Sequence, residues 1–214
     1  MNLWSNIPLS EYEGHMSNDN VRQLEALESV FSEKIEEYAP KSLMIWGIAG
    51  GNGLNIINPS VTERVVGLDI NSDYLNVCKE RYGDRIKDLE LHCCDLNSES
   101  LPHCSVDFIW AALVLEYVNV PHALEYATKS LNDDGVISVL IQKDNGLKSV
   151  DSEYESINSL SDIFQVINED SIKEYAGRQG LIISSEKEYK LESGKSFVVL
   201  DFAKVTNKKD KLKN

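Results

Sequence analysis

Early in the chain Val21, Leu24, Leu27, Val30, Phe31 and Ile35 fall mostly three or four positions apart with polar residues between them, the stripe of an amphipathic helix. Residues 17–20 carry capping side chains and Pro40 lies beyond, which predicts a helix running to about Tyr38. After Pro40 the period changes. Short apolar runs at 43–46, 65–68, 89–93, 106–110 and 136–141 alternate with longer stretches, most of them patterned as helices. Strand and helix taking turns requires crossover connections, which make the strands parallel and cover both faces of the sheet. The last third departs from this alternation. A helix is predicted from about Asp170 to Gln179, stopped by Gly180, and two long β-patterned stretches then meet around Ser193 and Gly194 as antiparallel neighbours. Residues 144–161 are polar with neither period, a long loop beside the site in this reading.

The chain thus divides into an N-terminal lid segment and helix (1–38), one α/β domain (39–205) and a short basic tail (206–214) that reads as a frayed end. Its 214 residues, 42% hydrophobic and 26% charged, suffice for one full core. No apolar run approaches the roughly 20 residues of a membrane span, and the N-terminus lacks the apolar stretch of a secretory signal, so the cytoplasm is the expected compartment. Cys78, Cys93, Cys94 and Cys104 lack the paired spacing of a zinc site, so no metal is expected, and Cys78 and one of the adjacent pair read as small core residues. A formal charge of −14 repels phosphate backbones and argues against a nucleic-acid partner.

Candidate chemistry concentrates after the first predicted strand. Gly47, Ala49, Gly50, Gly51 and Gly53 cluster there, in a segment expected to open a helix. Glycines let backbone approach a ligand closely, and a helix start offers unpaired N–H groups to a polar molecule. The cluster alone fits a tight turn equally well. Asp69 ends the second predicted strand 22 positions after Gly47, the place from which a carboxylate accepts hydrogen bonds from ribose hydroxyls; it also suits a cap for the next helix, with Asn71 and Ser72. A nicotinamide-type loop wants glycine at its first, third and sixth places. From Gly47 the sixth place is Asn52, and from Gly51 it is Ile56, so neither register fits.

From about Ser42 to Gln142 the order of these features resembles the class I S-adenosylmethionine-dependent methyltransferases of the small-molecule type. Gly47, Ala49 and Gly51 stand at the family's G-x-G-x-G loop, Asp69 at its ribose-binding acid with Ile70 beside it, and Asp95-Leu96 at its adenine-binding pair. Ala111 and Ala112 stand where small residues admit backbone carbonyls to the methionine ammonium group. Leu115-Glu116-Tyr117-Val118 resembles the "LEHV" turn, and Leu131 to Val136 the "L-x-P-G-G" approach to the fifth strand. Two positions depart: Ile45 replaces an acid common two places before the loop, and Ala49 replaces its middle glycine. The resemblance implies a Rossmann-like sandwich with a mostly parallel seven-stranded sheet and a C-terminal antiparallel hairpin. It implies S-adenosylmethionine as cofactor, S-adenosylhomocysteine as product, and a small-molecule methyl acceptor. A non-catalytic protein that senses the cofactor is the alternative, and a nicotinamide-dependent oxidoreductase a weaker one.

In that family the acceptor pocket draws on the N-terminal segment, the turn after the fourth strand and the insert after the fifth. Trp4, Ile7, Pro8, Tyr12, His15 and Met16 make the first of these apolar and aromatic, as a lid would be. His15 reads first as an exposed polar residue ahead of a helix, and is also a candidate base, since an unperturbed imidazole titrates near neutrality. Tyr12, Glu116 and Tyr117 complete the catalytic candidates. Methyl transfer from a sulfonium needs an in-line nucleophile more than any fixed catalytic side chain, so the acceptor is not legible at this level.

Overall fold

All five apolar runs between residues 43 and 141 form strands in the computed structural model, which describes residues 2–18, 23–144, 146 and 149–204. The tail 206–214, residues 19–20 of the cap and Val21 of the apolar stripe lie outside the described residues. The strands are β1 (Ser42–Trp46), β2 (Arg64–Asp69), β3 (Asp88–Cys93), β4 (Val106–Ala112), β5 (Leu131–Gln142), β6 (Leu181–Lys190) and β7 (Ser196–Lys204). They form one sheet in the order β3-β2-β1-β4-β5-β7-β6. The first five are parallel, whereas β7 runs antiparallel to both β5 and β6. The C-terminal hairpin therefore inserts its second strand beside β5. This is the expected mostly parallel seven-stranded sheet of a Rossmann-like fold.

The helices are α1 (Leu9–Ser17), α2 (Gln23–Tyr38), α3 (Ser72–Tyr82), α4 (Val120–Ser130), the single turn α5 (Glu155–Asn158) and α6 (Glu169–Arg178). Side chains of α2 and α3, among them Phe31 and Leu75, bury one sheet face, while Leu124 of α4 and Ile172 of α6 bury the other. Each fully buried large apolar side chain contributes roughly 1.5–3 kcal/mol. Asn71, Asn119 and Asn168 cap α3, α4 and α6 through their side chains. No helix among the described residues is long and apolar enough to cross a membrane.

Two local expectations are corrected. The glycine cluster opens no helix: residues 47–56 form consecutive turns, with Asn52 N–H donating to Ile48 O at 2.9 Å and Ile56 N–H to Gly53 O at 3.1 Å. Positive φ at Ala49 (49°), Gly51 (108°) and Gly53 (79°) prevents a right-handed run. Ile48, Leu54 and Ile57 still bury against the α2 face, so burial there is kept without helical periodicity. The insert after β5 is not a plain loop, since α5 and the 3-10 turn Ser159–Asp162 lie within it. Its Val150, Ile157 and Leu160 form a small separate core with Ile7 of the N-terminal segment, the reason a mostly polar stretch takes a fixed shape.

Beneath α2 lies a buried ionic cluster. Lys34 Nζ stands 2.7 Å from Asp201 Oδ2 on β7, and Tyr38 Oη donates to the same oxygen at 2.9 Å. Ser138 of β5 donates to Oδ1 of Asp201. Lys34 is 2% exposed and Asp201 0%, so these bonds fix how α2 sits on the sheet.

Candidate functional site

The chain reverses its direction of progress across the sheet between β1 and β4, and open parallel sheets bind ligands at the carboxyl ends of strands on either side of such a switch. A cleft opens at that position. Its floor is the turn after β1. Gly47 and Ile48 N–H both donate to Leu68 O, at 2.8 and 3.1 Å, tying the turn to the end of β2. Gly47 has φ 66°, and a Cβ there would meet Val114 at 3.0 Å. At Gly51, with φ 108°, a Cβ would enter the Tyr82 ring, so this glycine serves packing beneath the turn.

Asp69 connects the turn to the β2 end. Its Oδ2 accepts from Ala49 N–H at 2.8 Å and its Oδ1 from Asn71 N–H at 2.9 Å. Burial nevertheless raises the Asp69 pKa, over the opposing pull of these backbone donors. Cys94 N–H donates to Asp69 O at 2.9 Å, which brings the residues after β3 alongside. There Asp95 Oδ1 accepts from the N–H and side-chain amide of Asn97 at 2.9 and 3.0 Å, while Oδ2 receives only a long contact of 3.4 Å from Asn2.

The N-terminal segment roofs the cleft. Asn71, while capping α3, donates its amide to Trp4 O and Ile7 O, each at 3.2 Å. Asn52 donates to Tyr12 Oη at 2.6 Å, and Arg81 pairs with Glu13. Burial pushes the Tyr12 phenol up to about 12 and lowers the His15 imidazole.

Glu116 lies in the 3-10 turn Leu115–Tyr117 beyond β4, 1% exposed. Its Oε1 accepts from Gln142 N–H at 2.9 Å, and its Oε2 is buried with no hydrogen-bond partner among the described residues. Burial pushes its carboxyl up to about 7. Trp4, Tyr117 and Phe164 stand edge to face beside it, with centroids 5.2 Å apart for Trp4–Tyr117 and 5.6 Å for Tyr117–Phe164. Burial likewise raises Tyr117.

Gly47, Ala49, Asp69, Ile70, Asp95, Leu96 and Ala112 all border the cleft, as do Tyr12, His15, Glu116 and Tyr117. Gly51 and Ala111 do not: the first supports the turn from below, and the second is fully buried on the α4 side of the sheet. Asn52, Asn71, Gln142 and Phe164 went unread in the sequence. Asn71 shows there only as a helix cap, and its second bonding direction, to the roof, has no signature in one dimension. Away from the cleft, Glu90, His92 and Cys104 bring potential metal ligands within 4.8 Å of one another, a convergence across strand and loop that pair spacing does not reveal. Arg64 already pairs with Glu90 there at 2.7 Å.

Strand order, hairpin insertion and cleft position define the class I methyltransferase fold. Residues 46–139 match the family profile of the methyltransferase domain, a span that holds the turn after β1, Asp69, Asp95 and Glu116. No curated protein matches it in sequence. Among solved structures it is similar to geranyl diphosphate C-methyltransferase from Streptomyces coelicolor A3(2), in complex with Mg2+, geranyl diphosphate and S-adenosyl-L-homocysteine: 12% identity, TM-score 0.68, covering 94% of this chain and 95% of that one. It is similar to the N-methyltransferase NodS from Bradyrhizobium japonicum WM9, in complex with S-adenosyl-L-homocysteine: 14% identity, TM-score 0.67, covering 96% and 100%. The [4+2]-cyclase SpnF is similar at 11% identity and TM-score 0.69, covering 90% and 87%. At such identities the likeness establishes the fold, and the cyclase illustrates that one fold hosts different chemistry.

Proposed function

We propose that this protein is an S-adenosylmethionine-dependent methyltransferase acting on a small molecule held between the N-terminal segment and the turn after β4. The observation that carries this reading is the single cleft in which the glycine turn, Asp69 and Asp95 adjoin an aromatic chamber containing Glu116. The residues suit the cofactor. Each Asp69 oxygen takes one backbone N–H, a carboxylate has about four acceptor sites, and its raised pKa marks a group still short of donors. Vicinal ribose hydroxyls supply such donors. Asp95 Oδ2, only weakly engaged by Asn2, suits an exocyclic amine, with Leu96 against the ring. When bound, the cofactor supplies a methyl group on a positively charged sulfur.

The chain's own work is then to position the acceptor and exclude water. Trp4, Tyr12 and Met16 roof the cleft and Leu160 and Phe164 close its side. A roof of this kind favours a small acceptor over a macromolecular one, in keeping with the charge of −14. Tyr12 keeps its proton at neutral pH, since burial raises its phenol to about 12; it is a donor to an acceptor group. Glu116, with its carboxyl pushed up to about 7, is a proton acceptor of the cleft, beside His15.

Titration calorimetry with S-adenosylmethionine and S-adenosylhomocysteine tests the reading, followed by labelled-methyl transfer to a panel of small acceptors. Asp69→Ala should weaken cofactor binding more than tenfold, because charge-assisted bonds to two hydroxyls are worth roughly 1.5–3 kcal/mol. Unchanged affinity in the folded variant removes Asp69 from the site. Binding without transfer to any acceptor would favour a sensing role.

A further inference from the structure

We infer that the methyl acceptor is an amine, its nitrogen directed at the free Oε2 of Glu116 and its apolar body held by Trp4, Tyr117 and Phe164. This rests on the methyltransferase reading and narrows its substrate class. Three independent features of the chamber lead to it.

The first is an orphaned acceptor. Glu116 Oε1 is satisfied by Gln142 N–H at 2.9 Å, and Oε2 is buried without a partner among the described residues. Buried polar atoms are almost always bonded, and each exception asks for the group that completes it. When ionised, this oxygen accepts only, so its missing partner is a donor. The cleft borders Glu116, so a ligand bound in it can supply that donor.

The second is the sign of charge. Asp69, Asp95, Glu28 and Glu116 border the cleft, and no lysine or arginine does so among the described residues. A carboxylate or phosphate on the acceptor would find no lysine or arginine among the described lining residues, and burial lowers the pKa of the His15 imidazole there. With Asp69 and Asp95 given to the cofactor, a cationic acceptor meets the carboxylate of Glu116.

The third is the wall. Trp4, Tyr117 and Phe164 form a continuous edge-to-face series, 5.2 and 5.6 Å between centroids. Aromatic faces hold apolar bodies and attract ammonium groups through their quadrupoles. Negative surroundings and aromatic faces separate an amine from an alcohol or phenol, which offers a donor but no charge.

The transfer balances on groups already named. The bound ammonium first gives a proton to the ionised Glu116 Oε2, and the freed lone pair forms the N–C bond as the C–S bond of the methyl donor breaks, its electron pair staying on sulfur as a neutral thioether. The alkylated nitrogen leaves as an ammonium, and the proton on Glu116 Oε2 passes to water when the roof opens. The rise of the Glu116 carboxyl to about 7 matches it to that exchange.

The test is binding of a matched series, phenethylamine, 2-phenylethanol and phenylacetate, to the full chain saturated with S-adenosylhomocysteine, followed by calorimetry or Trp4 fluorescence. The amine should bind at least tenfold more tightly than the alcohol, with no detectable binding of the acid. Glu116→Gln should erase the amine's advantage while leaving S-adenosylhomocysteine affinity within twofold. Equal binding of amine and alcohol by the unaltered protein overturns the inference, with no variant needed. So does a Glu116→Gln protein that keeps the preference, or one that loses cofactor affinity tenfold, which would assign Glu116 to the cofactor's amino end. If the unaltered protein binds no S-adenosylhomocysteine, the methyltransferase reading itself has failed, a result separate from all of these.

Discussion

Replacing Glu116 by glutamine converts a buried, ionisable side chain into a neutral one of the same shape, and the consequence for stability is a pH dependence of known sign. The carboxyl titrates near 7 in the folded protein against an ordinary 4.5. The folded chain therefore holds this proton more tightly than the unfolded chain. Stability that Glu116 contributes is complete below pH 4.5 and is lost as pH rises through 7. At roughly 1.4 kcal/mol per tenfold change in acidity constant, the loss is about 3 kcal/mol. It comes from desolvation of the carboxylate, since the side chain is only 1% exposed and one oxygen lacks a donor. Glutamine keeps an oxygen for Gln142 N–H and carries no charge at any pH. Its amide hydrogens bring a fixed offset, identical at every pH. The quantity to measure is thus the stability of Glu116→Gln minus that of the unaltered protein, by denaturant unfolding at pH 5 and pH 8. The difference should grow by about 3 kcal/mol between them, on the order of 6 to 12 °C in melting temperature for a chain of this size. His15, whose pKa burial lowers, is common to both proteins. A difference that stays constant from pH 5 to pH 8 would falsify the reasoning, and with it the account of Glu116 as a strained buried acid.

Two further outcomes follow from the packing. A protein beginning at Ser17 should lose most of its turnover while melting only a few degrees lower, because the roof packs mainly on the small core of the insert and not on the sheet; equal turnover in both proteins would show that the roof is dispensable. Lys34→Met should cost about 3–5 kcal/mol by leaving Asp201 buried and unpaired, and adding Asp201→Leu should recover much of it; thermal unfolding that shows no recovery in the double variant would mean the pair is not what locks α2 to the sheet.

The parallel sheet was legible because burial on both faces imposes continuous apolar runs, and 43–46 or 106–110 can satisfy few other environments. The hairpin was legible for the same kind of reason, since Ser193 and Gly194 interrupt two long β-patterned stretches. The turn after β1 was read as a helix start because glycine and asparagine occur at both. Only the backbone angles at Ala49, Gly51 and Gly53 separate the two. Gly51 packs against Tyr82 and the Ala111 side chain is buried in the sheet core, contacts that the order of a motif does not reveal.

Local periodicity and the order of short motifs, which depend on neighbours a few residues apart, were enough to determine the sheet and most of its helices. The acceptor side was decided by tertiary structure. Trp4, Glu116, Gln142 and Phe164 come from four separate parts of the chain. Gln142 at the end of β5 supplies the donor to Glu116 Oε1, while Oε2 is buried without a partner among the described residues. A carboxylate's burial, its missing partner and the pKa that results are properties of what surrounds it in space, and no stretch of sequence carries them alone.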